Sequence, residues 1–320
     1  MNDTRQSRKM AIGLLLFAAL MLAVLLPLRL WQQMRLVEQR TGFWASTDVT
    51  VTLLYVGLGV LAAVPAAAAF GLRKRAALDL TRRRRAAEGI AAALAAAALI
   101  WDAIAAMRFA LRLFSGEGTG DAFLDGLEGQ SSSVMQYYIR SGAMACVFEC
   151  LAGIVGALFF GELAALDFLP GKEIYISRAA ALAPFVWAVC RILRRFSRTI
   201  AYLRVSDLFL GLAMLAALML FSLAFAQAVG GVHDTNKAAV VLAAGIPAAV
   251  LGLVCFVPRF VVYTVQGFDA PQDAPTEWCD PAMALFIMVF CAGRAWVKGK
   301  DAAVKQEEED EADEVAIGEE

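Results

Sequence analysis

Six times between Met10 and Val257 the chain returns to an apolar run of about 20 residues with almost no charge, the length a helix needs to cross some 30 Å of hydrocarbon. The runs cover 10–28, 49–70, 89–109, 141–160, 208–229 and 238–257. A segment immersed in lipid must satisfy its own backbone, which a helix does. The pattern therefore predicts an all-α polytopic transmembrane bundle of six spans, with further apolar stretches that could make seven or eight. Composition agrees: of the 320 residues 60% are hydrophobic and only 18% charged, against about 25% in soluble domains.

Charge position gives the expected orientation. Between the second and third runs lies GLRKRAALDLTRRRRAAE, with Arg73, Lys74, Arg75, Arg82, Arg83, Arg84 and Arg85 against Asp79 and Glu88. Short loops rich in Lys and Arg stay in the cytoplasm. Arg5, Arg8 and Lys9 ahead of the first run carry the same sign. That run contains Pro27 and no small-residue cleavage pattern before Arg29, so it reads as a retained span. Both termini are expected in the cytoplasm, in a plasma membrane.

The formal net charge of -1 hides an acidic end: residues 301–320 hold ten acids and one Lys, leaving +8 on the other 300. This tail has too little apolar content to fold and is expected to be disordered. The Arg clusters lie where a membrane protein keeps its loop charges, so nucleic acid is not an expected partner. The six cysteines fall mostly within apolar runs, where a thiol packs as a small hydrophobe. Cys146 and Cys150 share a helix face, but no His or further Cys nearby completes a metal set.

Local signals refine the spans. Residues 29–48 carry Trp31, Phe43 and Trp44 among polar groups and suit an outer interfacial segment. Thr47 or Asp48 can cap the second span. Its AAVPAAAAF run, the alanine-rich third span and the Cys146, Cys150, Gly153, Ala157, Gly161 stripe of the fourth offer small faces for close helix contact. Residues 110–140 form the longest outer segment, whose acids lack calcium-loop spacing. Ser206 and Asp207 can cap the fifth span, and Pro247 sits near the middle of the sixth.

Two stretches are ambiguous. Residues 174–190 are apolar but contain Arg178 and Pro184; beyond them Phe185, Val189, Ile192, Leu193, Phe196, Ile200 and Leu203 recur at helical spacing, with Arg191, Arg194, Arg195 and Arg198 on the other face. Were 174–190 to cross, this basic helix would lie outside, against the charge rule. The expectation is a cytoplasmic amphipathic helix over 185–204, its four arginines contacting anionic lipid of the inner leaflet. Residues 281–297, broken by Arg294, are expected as a short membrane-surface helix.

Ionisable groups at membrane depth are costly and often functional. At 1.5 Å per residue, Asp102 lies roughly 20 Å along its helix from Gly89, and Glu149 about 12 Å from the outer end of the next span. Two carboxylates at one depth could line a cation or proton site, with Arg108 as a neighbour; alternatively they pair with Arg108, Arg112 or Arg140. His233 stands alone in a turn. No phosphate loop, HExxH or GxSxG is present, so no cofactor and no enzymatic activity are expected, a lipid-acting enzyme being the weakest option. The leading expectation is a non-enzymatic scaffold or accessory subunit with a membrane-protein partner. Its rival is a small transporter or permease component with Asp102 and Glu149 in the pathway.

Overall fold

The computed structural model describes residues 3–37, 48–72, 76–78, 86–114, 142–168, 179–197, 205–230, 237–266 and 277–297. The arginines of the basic loop, Arg140, Arg198, His233 and the acidic tail lie outside the described residues.

The fold is a helical bundle. Its helices are α1 (Asp3–Arg35), α2 (Val49–Leu72), α3 (Ala86–Phe114), α4 (Ala143–Phe168), α5 (Ala183–Ser197), α6 (Val205–Val229), α7 (Lys237–Gln266) and α8 (Cys279–Arg294). A single 3-10 turn, Ala180–Leu182, leads into α5. Six of these helices, all but α5 and α8, are long and apolar enough to cross a membrane. Leu16, Leu20, Leu53, Val56, Leu151 and Leu158 are exposed, as lipid-facing side chains must be. Asp48 caps α2, its Oδ1 accepting from the Thr50 amide at 3.2 Å. Pro27, Pro65 and Pro247 lie inside helices, and Pro258 adds a second to α7.

Helix directions follow from side-chain neighbours. A Cβ on Gly57 would meet Leu25, and Gln32 donates to the Thr50 carbonyl, so α1 and α2 are antiparallel. In α3 and α4, Gly89 faces Asp167 while Gly153 faces Leu99 and Ala103. Against α8, α7 sets Gly245 by Ile287 and Cys291, and Gly252 by Asp280 and Ala284. Strand β1 (Ala76–Leu78), inside the basic loop, pairs antiparallel with β2 (Ala295–Val297), which follows α8. The C-terminal end of α8 therefore returns to the basic-loop end of the bundle.

Residues 174–204 depart from expectation. Gly156, halfway along α4, faces Ala183 and Pro184; Gly153 faces Trp187; Glu149 faces Arg194. So α5 starts at mid-height and climbs away from the basic-loop end, antiparallel to α4. At its top Arg195 meets Gly211 near the start of α6. Hence α6 and α7 run opposite to the directions that a cytoplasmic 163–204 would impose. The arginine-rich end of α5 lies at the end of the bundle away from β1, because buried carboxylates compensate its charge there. Likewise α8 is no surface helix: Phe286, Ile287 and Phe290 are buried in the core. They join Phe159, Phe160, Phe221 and Phe225 in a cluster with ring centroids 4.8–6.4 Å apart.

The small-residue stripe of α4 packs as expected at Cys146, Cys150, Gly153 and Ala157, all buried. At Gly153 a Cβ would lie 3.3 Å from that of Ala103 and 3.4 Å from the Leu99 carbonyl oxygen, so the backbones approach closely. No described residue lies within 4 Å of a Cβ at Gly161. The alanine run of α2 differs in part: Ala62, Ala63, Ala66 and Ala67 are exposed, whereas Ala68 and Ala69 pack against the core.

Candidate functional site: a buried layer of charge

At the end away from β1 the helices bring together five arginines and five carboxylates among the described residues: Arg29, Arg191, Arg194, Arg195 and Arg259 with Asp102, Glu149, Asp207, Glu277 and Asp280. Most charged groups in lipid sit against partners inside the bundle because an unpaired one costs several kcal/mol. Here the groups come from seven helices that the sequence separates widely.

The centre is Arg191, on α5 and fully enclosed. Its Nη1 donates to Asp280 Oδ1 at 2.8 Å, and its Nη2 pairs with Glu277 Oε2 at 2.7 Å. Its Nε is 3.9 Å from Glu149 Oε1, and its guanidinium lies 4.7 Å from the centroid of the buried Trp187 ring, a cation–π distance. One turn earlier on the same face, Trp187 Nε1 donates to Asp102 Oδ2 at 2.8 Å. Arg194 Nε reaches Glu149 Oε2 at 3.2 Å, and Arg195 Nη2 grips both oxygens of Glu277 at 3.1 and 2.8 Å. Burial by itself would raise the Glu277 carboxyl, but Arg191 and Arg195 beside it hold it well below the usual carboxylate range. Cys279 Sγ donates to the Ala98 carbonyl at 2.9 Å and fastens the start of α8 to α3.

A second group adjoins it. Asp207 Oδ1 accepts from Arg29 Nη2 and from Gln33 Nε2, the latter at 2.8 Å. Arg259 places Nε 3.5 Å from Asp207 Oδ2 and donates through Nη2 to the Asp207 carbonyl at 3.3 Å. The sequence suggested an outer loop or short interfacial helix over 29–48; α1 continues to Arg35 and buries Arg29, whose charge Asp207 meets.

The expected pair Asp102 and Glu149 does lie in one site, but its counter-charges are not those anticipated. Arg108 is exposed and Arg140 lies outside the described residues; Glu149 meets Arg194 and Arg191 instead. The basic face expected to meet anionic lipid is turned into the protein at Arg191, Arg194 and Arg195, because α5 packs between α4 and α6 with carboxylates on that side. Sequence reasoning missed Trp187, Glu277, Asp280, Arg29 and Arg259. An Arg in the apolar stretch 183–193 signals a buried acid elsewhere, and Glu277 and Asp280 opening an apolar helix were available as its partners.

No family model, curated protein or solved structure matches this chain. The six apolar helices identify a multi-pass membrane protein.

Proposed function

We propose that the protein is a small non-enzymatic membrane translocator, a transporter or permease component whose cation- or proton-coupled pathway passes Asp102 and Glu149. One observation carries this reading: both carboxylates are buried in the same intramembrane charge layer, joined through Trp187 and Arg191. A bilayer protein keeps such groups at a cost that ion pathways and proton relays repay in function. Helix α5, which begins at mid-height, supports the reading, since interrupted helices commonly build substrate sites in transporters. The scaffold alternative drew on a basic helix offered to anionic lipid or a partner, and three of its four arginines face inward. In the plasma membrane the basic loop would be cytoplasmic and the charge layer would lie in the outer half.

The test is flux in proteoliposomes that enclose a pH-sensitive dye, with a potassium gradient and valinomycin setting the potential. Protein-dependent proton movement is expected, lost in Asp102→Asn and Glu149→Gln while both variants remain folded in the membrane. Flux no greater than that of empty liposomes, or unchanged in both variants, contradicts the reading.

A further inference from the structure

Among the described residues, the inner part of the charge layer holds one more acid than arginine. Asp102, Glu149, Glu277 and Asp280 are four carboxylates facing three guanidinium groups, those of Arg191, Arg194 and Arg195. The adjoining group has the opposite imbalance, Arg29 and Arg259 around Asp207, but Arg259 is 34% exposed and can meet solvent or headgroups. An extra charge enclosed in low dielectric is neutralised more cheaply by a proton than sustained.

Hydrogen bonding shows which carboxylate takes that proton. Asp102 accepts from Trp187, Asp280 from Arg191, and Glu277 from Arg195. Glu149 is fully enclosed, and neither of its oxygens accepts a hydrogen bond from any described residue, although Arg194 and Arg191 stand 3.2 and 3.9 Å away. The charge of Arg191 is already shared with Asp280 and Glu277, both nearer to it at 2.8 and 2.7 Å.

We propose that Glu149 is the proton-carrying residue of this layer, held as a neutral carboxylic acid that exchanges its proton with water at the end away from β1, beside Arg194. The inference rests on the site described above and names the coupling ion. Arg194 is 15% exposed and links the enclosed carboxyl to the surface. In the loading step hydronium gives its proton to a Glu149 oxygen; an O–H bond forms, one water leaves, and Arg194 keeps its charge. A metal cation does not suit the place, because a guanidinium group stands within 4 Å of each Glu149 oxygen. Among the described residues, the titratable and charged groups around Glu149 are Asp102 on α3, Cys146 and Cys150 on its own helix, Cys190, Arg191 and Arg194 on α5, Glu277 just before α8 and Asp280 on it.

Infrared difference spectroscopy of the full chain in lipid, between about pH 5 and pH 9, reads the proton directly. The expected result is a carboxylic-acid C=O band that is lost at the alkaline end, absent in Glu149→Gln and retained in Glu162→Gln. In the unsubstituted chain, isotope-labelled glutamate moves the band, so the assignment does not depend on a variant folding. A band that survives Glu149→Gln, one indifferent to labelled glutamate, or no band at all overturns the proposal. Proton flux without a Glu149 band ends this inference and leaves translocation standing. A Glu149 band without flux supports it and ends the translocation reading.

Discussion

Where α3 meets α4 at Leu99, Ala103 and Gly153, the seam is small and apolar; one turn up α4 from Gly153, it is closed by Glu149 facing two arginines. The same contrast divides the bundle. Toward β1 the interior is mostly alanine and a stack of phenylalanines, with Glu88 buried at the start of α3, and away from it the interior is rich in guanidinium and carboxylate. Lipid gives helices no hydrophobic reason to associate, so contacts come from close packing or from polar groups with nowhere else to go. The long helices use mainly the first, with α1, α6 and α7 also meeting through Arg29, Asp207 and Arg259. The short α5 and α8, of 15 and 16 residues, carry the charges that fix them in place.

Substitutions can break that division. Arg191→Met strips the central counter-charge from buried acids and should cost about 3–5 kcal/mol, the penalty for breaking a buried ion pair, read as loss of folded protein in a denaturant titration from detergent micelles. A loss under 1 kcal/mol, within the range of exposed pairs, would mean the layer is wet. Trp187→Phe keeps the ring but leaves Asp102 without its donor, and should cost about 2 kcal/mol by the same titration. Gly153→Ala tests the apolar seam: a methyl 3.3 Å from Ala103 should cost about 1 kcal/mol by overpacking. Leu53→Ala on the lipid-facing side of α2 should stay within about 0.5 kcal/mol of wild type, and a larger effect would show that a partner covers that face.

Much of this was legible in the sequence and some was not, for a physical reason. Span number, the α4 stripe, the Asp48 cap and the shared burial of Asp102 and Glu149 follow from local hydropathy and spacing. The direction of α5 does not. The charge rule treats arginines as solvated and therefore cytoplasmic, whereas Arg191 and Arg195 are paired with Glu277 and Asp280, more than 80 residues along the chain, and Arg194 is turned inward beside Glu149. Once paired, they carry no topological signal. The alanine run of α2 misled in the opposite sense, since small residues permit close packing without requiring it.

The most direct test of the account is the position of the end of α5 relative to the basic loop. Single cysteines at Ser197 and at Ala77 in β1, in a Cys-free chain that retains flux, would be probed with an impermeant thiol reagent from each side of sealed vesicles. The charge layer described here requires that the two positions label from opposite sides. Labelling of both from the same side would contradict it: α5 would not climb to the far end, and its arginines would not meet Glu149.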